Sequence, residues 1–192
     1  MSEKTGAVHF DASADANNSR DVVLGDLDGD GDLDAFVVND AGPTNKVYVN
    51  AGNGTFTVIN PGADVSGNLG LDLGDIDGDG DVDIIVTPGP KNEVILYQNN
   101  SDGTFKVKTL LRNVGRNYNA SLWDVDGDKN LDLLIDGHEE PLSIFWGEGD
   151  GNFSKKQEVL GFENQVMSDI EFSDLNNDGR LELVVASSLK GM

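Results

Sequence analysis

The 192-residue chain contains no cysteine, which excludes disulfides and thiolate metal sites alike. Cations are scarce: 13 Lys and Arg stand against 35 Asp and Glu, for a formal net charge of −22. Phosphate backbones are bound by basic stripes, so nucleic acid is excluded as a partner. Docking on anionic lipid is disfavoured on the same ground. No apolar run approaches the roughly 18 residues that cross a bilayer, so no membrane insertion is expected. The opening residues, MSEKTGAVHF, lack the apolar stretch of a signal peptide. Only two histidines occur, His9 and His138, and there is no HExxH, no G-x-S-x-G and no phosphate-cradling glycine loop.

What the chain does have is 24 glycines and an acidic complement set at a regular interval. Four runs read GDLDGDGDLD (25–34), GDIDGDGDVD (74–83), WDVDGDKNLD (123–132) and SDLNNDGRLE (173–182). Their leading acids, Asp26, Asp75, Asp124 and Asp174, lie 49, 49 and 50 residues apart. Phe10, Phe56, Phe105 and Phe153 keep the same beat, the last three closing turns that read GNGTF, SDGTF and GDGNF. Two landmarks in step define an internal repeat, with units at approximately 11–60, 61–109, 110–158 and 159–192 of a single domain over 1–192.

Each unit reads as four strands. An apolar strand (VVLG, LDLG, NASLW, DIEFS) enters the acidic loop, and a second (LDAFVVN, VDIIVTP, LDLLIDG, LELVVAS) leaves it. A third (KVYVN, EVILYQN, LSIFWGE) carries an aromatic at Tyr48, Tyr97 or Phe145, and a glycine turn leads to the fourth (TFTVIN, TFKVKTL, NFSKKQEVL). β-Branched and aromatic residues dominate and no helical period is evident. The predicted fold is all-β: β-propeller blades of four antiparallel strands, about four repeats. Three blades are whole and the ends are partial, with a lone fourth strand near Phe10 and no third strand after Ala186. The array is expected to be part of a larger or assembled ring, with self-association through open blade ends.

The acidic loops follow D-x-D-x-D-G-x-x-D. Side-chain oxygens at positions 1, 3, 5 and 9, with the position-7 carbonyl, converge on one point, while glycine at position 6 allows the sharp turn. Hard oxygen donors in this arrangement suit Ca²⁺ rather than the smaller, more strongly hydrated Mg²⁺. The first site comprises Asp26, Asp28, Asp30, Asp32 (carbonyl) and Asp34; the second comprises Asp75, Asp77, Asp79, Asp81 (carbonyl) and Asp83. The third offers Asp124, Asp126, Asp128, Asn130 (carbonyl) and Asp132, with Lys129 in place of the glycine. The fourth offers Asp174, Asn176, Asp178, Arg180 (carbonyl) and Glu182. Up to four Ca²⁺ ions are expected, one per loop. The loops hold 17 of the 35 acids, and converging carboxylates repel one another unless a cation lies among them.

The loop, the apolar strand after it and the [VIL]-x-[VLF]-[YF]-x-N-x-G-x-G-x-F element together resemble the FG-GAP/VCBS repeat, a family that includes integrin α-subunit propellers and many secreted bacterial proteins. The resemblance implies a β-propeller, calcium between the first two strands of a blade, and an extracellular or cell-surface location, the leader being absent from this chain. Residues 26–34 and 75–83 match fully, whereas Lys129 departs from the pattern.

A binding or adhesion module with a protein or glycan ligand is the expected function. Residues that break the repeat are the ligand candidates. Trp123 replaces Gly25, Gly74 and Ser173; Trp146 replaces Val49 and Gln98; Arg116 and Tyr118 lie nearby. Either tryptophan could stack on a sugar or fill a gap between blades. The alternatives are a carbohydrate-active propeller enzyme, which would need His138 with Glu139 or Glu140 in one cleft, and a structural spacer. With 17 of the 35 acids placed in the loops and no catalytic motif present, the chain is expected not to be an enzyme. Five N-x-S/T sequences, at Asn17, Asn53, Asn99, Asn119 and Asn152, mark expected surface loops.

Overall fold

The computed structural model describes residues 18–41, 45–62, 68–88, 93–112, 114, 117–137, 141–159 and 165–189. Among these, fourteen strands occur and no helix. Blade 1 is β1 (Asn18–Gly25), β2 (Asp34–Ala41), β3 (Lys46–Asn50) and β4 (Phe56–Ile59). Blade 2 is β5 (Asn68–Gly74), β6 (Asp83–Pro88), β7 (Glu93–Asn99) and β8 (Phe105–Arg112). Blade 3 is β9 (Asn117–Trp123), β10 (Asp132–Gly137), β11 (Ser143–Gly147) and β12 (Phe153–Glu158). β13 (Gln165–Ser173) and β14 (Glu182–Leu189) form a last, two-stranded sheet.

Within each blade the strands pair antiparallel in sequence order, as short glycine turns require. The register is the same throughout: Gly25 faces Asp34, Gly74 faces Asp83, Trp123 faces Asp132 and Ser173 faces Glu182. Each acidic loop therefore closes a hairpin between the first and second strands of its sheet.

The second strands read as continuous apolar runs because both faces are covered. Phe36 and Val38 of β2 point toward blade 2, while Ala35 and Val37 point the other way. Ile84 and Val86 of β6 meet blade 1, and Ile85 meets blade 3. Three apolar seams result. The first joins Phe36, Val38 and Val47 to Leu71, Ile84, Val86 and Tyr97. The second joins Ile85, Val94 and Leu96 to Leu122, Leu133 and Phe145. The third joins Leu134 and Ile144 to Ile170 and Phe172. Burying a side chain of this size is worth about 1.5–3 kcal/mol, so the seams, rather than any single sheet, hold the array together.

In the first seam Phe36, Tyr97 and Phe105 pack edge to face, at centroid distances of 5.1, 6.3 and 6.3 Å. The Asn45 amide Nδ2 donates to the buried Tyr97 hydroxyl at 3.1 Å. The three repeat-matched aromatics, Tyr48, Tyr97 and Phe145, are all buried. The expected strand near Phe10 lies outside the described residues, so three complete blades and one two-stranded sheet are what the structure shows.

Candidate metal centres

Each acidic loop is built by its own carboxylates before any ion is considered. The position-1 aspartate folds the turn by accepting two backbone N–H groups. Asp26 accepts from Gly29 at 2.8 Å and Gly31 at 3.0 Å; Asp75 accepts from Gly78 at 2.8 Å and Gly80 at 3.1 Å. Asp124 accepts from Gly127 at 2.8 Å and Lys129 at 3.1 Å, and Asp174 from Asp178 at 3.0 Å and Gly179 at 2.8 Å. These are Asx-type turns. Position 6 is left-handed in every loop, with φ of 90° at Gly31, 94° at Gly80, 79° at Lys129 and 85° at Gly179. Lys129 thus bears a penalty of about 1 kcal/mol that glycine avoids. Position 4 needs the same conformation, supplied by Gly29, Gly78, Gly127 and Asn177, a requirement that reading for metal ligands passed over.

Position 9 does more than offer a ligand. Asp34, Asp83 and Asp132 are buried, and each bridges two segments. One oxygen accepts the N–H of position 2: Leu27 at 2.8 Å, Ile76 at 3.1 Å and Val125 at 2.9 Å. The other accepts an N–H at the end of the third strand: Asn50 at 2.7 Å, Asn99 at 2.8 Å and Gly147 at 2.9 Å. The Asn50 and Asn99 amides return a bond to the position-8 carbonyls of Leu33 and Val82, at 3.2 and 3.1 Å. In blade 3 the backbones approach too closely for this, since a Cβ on Gly147 would sit 2.1 Å from the Leu131 oxygen.

With positions 1 and 9 fixed, position 3 completes a triad. Carboxylate oxygens of Asp26, Asp28 and Asp34 lie within 4.8 Å of one another, as do those of Asp75, Asp77 and Asp83, and of Asp124, Asp126 and Asp132. Three loops could therefore hold metal ions. Asp30, Asp79 and Asp128 stand outside these triads and accept the N–H of position 7 at 2.9, 2.9 and 2.8 Å. At position 7, Asp81 accepts the Ser101 hydroxyl and Asn130 donates to Asp128 at 3.0 Å. In the fourth loop no such triad forms. Glu182 accepts the Leu175 N–H at 2.8 Å and the Asn176 amide at 2.8 Å, and Asp178 accepts the Arg180 N–H at 2.9 Å.

The electrostatics fit a cation. Burial, aided by Asp77 and Asp79, pushes Asp83 up to about 6. Burial raises Asp132 as well, with Asp126 and Asp128 adding to it. Asp28 is raised by desolvation and by Asp34, Asp30 and Asp26. Carboxylates whose charged forms are disfavoured first by desolvation and then by neighbouring like charge are the groups a divalent ion relieves.

The next blade covers each of the first two loops. The Gly151 N–H donates to the Ile76 carbonyl at 3.2 Å, and Lys108 Nζ donates to the Gly151 carbonyl at 2.8 Å. A Cβ on Gly103 would lie 3.7 Å from that of Asp28, and one on Gly151 would lie 3.4 Å from that of Asp77. The glycine turns, read in sequence as hairpin connections, therefore also roof the loop of the preceding blade. Their common beat with the loops was the available signal. The Gln98 amide also donates to Asp77. Loop 3 faces instead a cavity of about 360 Å³ lined by Asp124, Asp126, Arg180 and Leu181.

Trp123 and Trp146 are half-buried in the seam between blade 3 and the last sheet, where the Trp123 ring meets Phe172 at a 5.7 Å centroid distance. Tyr118 lies on β9. Arg116, His9, His138, Glu139 and Glu140 lie outside the described residues. Asn53 and Asn152 are exposed in turns, but Asn99 is buried; its side chain serves the loop-to-strand bond above rather than a surface loop.

Sheets of this kind, stacked in series with an acidic loop at the head of each, define a β-blade repeat protein of the β-propeller type. The chain belongs to the FG-GAP-like repeat family, whose sequence profile matches residues 26–86, 75–135 and 124–185. No curated protein matches it in sequence. Among solved structures it is similar to that of an Agrocybe aegerita lectin described as specifically recognising non-reducing terminal N-acetylglucosamine. That likeness has a TM-score of 0.56 at 24% identity over 72% of this chain, and is one of fold. The chain spans 37% of the lectin's length. Among the described residues no helix is long and apolar enough to cross a membrane.

Proposed function

We propose that the chain is a non-catalytic, extracellular binding module whose blades are stabilised by Ca²⁺ and whose ligand is a glycan. The observation that carries the reading is the Asp triad at positions 1, 3 and 9, repeated with the same geometry in three successive loops. Asp26, Asp28 and Asp34 would hold one ion, Asp75, Asp77 and Asp83 a second, and Asp124, Asp126 and Asp132 a third. The position-5 carboxylates and position-7 carbonyls would supply further donors, a number that favours Ca²⁺ over Mg²⁺. Bound calcium supplies neutralisation of the loop carboxylates, and so a fixed blade edge. Loop 4, with its donors bonded to one another, would be the weakest.

The family supports the extracellular placement, where calcium is abundant, and the lectin-like fold supports a glycan ligand. The test is binding to immobilised glycans, beginning with chains that end in N-acetylglucosamine, in calcium and in EGTA. Calcium-dependent capture of a defined glycan class supports the reading, and equal, negligible signal on every glycan defeats its ligand half.

A further inference from the structure

Two glycine turns each touch two acidic loops. The turn of blade 2 between Asn99 and Phe105 is held at its start by loop 2 of its own blade. There the Asn99 N–H donates to Asp83 at 2.8 Å, and the Ser101 hydroxyl donates to Asp81. The rest of the turn lies on loop 1. A Cβ on Gly29 would stand 3.6 Å from the Ser101 carbonyl oxygen, and one on Gly103 would stand 3.7 Å from that of Asp28.

The turn of blade 3 between Gly147 and Phe153 repeats the arrangement one step along. Loop 3 holds its start: the Gly147 N–H donates to Asp132 at 2.9 Å, and a Cβ on Gly149 would fall 2.3 Å from the Asn130 Oδ1. Its end lies on loop 2, where the Gly151 N–H donates to the Ile76 carbonyl at 3.2 Å. A Cβ on Gly151 would stand 3.4 Å from that of Asp77. Lys108, from blade 2, fastens the same residue by donating to the Gly151 carbonyl at 2.8 Å.

Fixing the backbone of such a turn costs conformational entropy, and here one turn is fixed by two loops. Occupying loop 3 immobilises Asp132, the start of the turn it clasps, and so the cover over Asp77. Occupying loop 2 immobilises Asp77 beneath that cover and, through Asp83, the turn that lies over Asp28. Whichever loop fills first meets an ordering cost that its neighbour then avoids, which is positive coupling. Linkage makes it reciprocal.

We infer that the metal sites of adjacent blades fill cooperatively, coupled through the turns at 99–105 and 147–153, with Lys108 a positioning residue for the second. This coupling rests on the loops binding calcium, as proposed above. Charge works against it, because filling one loop lowers the negative potential that draws an ion to the next.

The test is a calcium titration of the stripped chain, followed by the ¹H–¹⁵N amide signals. The Gly80 N–H, which donates to Asp75 at 3.1 Å, reports loop 2. Asp126→Asn disables loop 3 and Asp28→Asn disables loop 1, each isosteric and neither within loop 2; Asp128→Asn is a second loop-3 variant, and the metal-free spectra check folding. The Gly80 midpoint should move to about fivefold higher calcium in either variant. Charge alone predicts the reverse, since an empty Asp126→Asn loop is more negative than a filled native one. In a Lys108→Met background Asp126→Asn should lose its effect on Gly80, while Asp28→Asn keeps it. Gly80 midpoints that stay put or move to lower calcium, while the loops still titrate, overturn the coupling and leave the calcium reading standing. Loop amides that ignore calcium in the parent overturn both.

Discussion

The Asp83 carboxylate and the Asn99 backbone are joined at 2.8 Å across 16 residues of chain, while the other Asp83 oxygen accepts the Ile76 N–H at 3.1 Å. A residue chosen by the loop pattern as a metal ligand is thus also the clasp between loop and third strand. The same clasp recurs at Asp34 with Asn50 and at Asp132 with Gly147.

This dual role predicts an asymmetry between ligand positions in metal-free protein. Asp132→Ala leaves the part-buried Val125 and Gly147 N–H groups without their acceptor, at about 1–3 kcal/mol for the pair. Asp128→Ala, at the exposed position 5, should cost less than about 1 kcal/mol without metal. Urea denaturation of calcium-stripped variants measures both, and equal losses would contradict the clasp.

Lys129 sits at φ 79°, where the other loops place glycine. Lys129→Gly should stabilise the chain by about 1 kcal/mol through relief of that backbone conformation and strengthen calcium binding at loop 3 by removing a nearby cation. Denaturation midpoints and calorimetric titration report the two effects separately.

The pH dependence of calcium-free protein should run opposite to that of a salt-bridged carboxylate. Asp83 is pushed up to about 6 from the usual 3.8, so the folded form binds a proton that the unfolded form lacks between these values. Its contribution therefore grows as pH falls through 6 toward 4 and is lost as pH rises. Calcium must displace that proton, so its stabilising increment should shrink below pH 6. Melting of resin-stripped protein at pH 7.5 and 5.0, with and without added calcium, displays both trends.

Gly147→Ala tests the close approach in blade 3. Its Cβ would come 2.1 Å from the Leu131 carbonyl oxygen, and a backbone neighbour cannot swing aside. The expected cost is about 1–3 kcal/mol, as for overpacking elsewhere, with a weakened Asp132 clasp, read by denaturation and by loop-3 calcium affinity.

Much of the fold is legible in the sequence because strand and loop signals agree in every unit. KVYVN and EVILYQN are β3 and β7 residue for residue, since an apolar run set between asparagines marks each of them. The aspartates of positions 1, 3 and 9 converge as their spacing implies. The position-5 acids stand apart because each bonds the N–H two residues on, a local competition that spacing does not reveal. Nor does spacing show that Gly103 and Gly151 roof loops 1 and 2, because those contacts join residues of adjacent blades that lie roughly 75 positions apart in the chain. Trp123 breaks the repeat in composition yet occupies a seam, its indole replacing packing that Gly25 and Gly74 leave to position-8 neighbours.

The measurement that bears most directly on the metal centres is thermal melting of the chain stripped of metal, then supplied with Ca²⁺ or with Mg²⁺. The account predicts a large fall in melting temperature on stripping, recovered by Ca²⁺ and not by Mg²⁺. A melt that neither stripping nor Ca²⁺ moves would contradict it, leaving the Asp triads as turn-forming carboxylates alone.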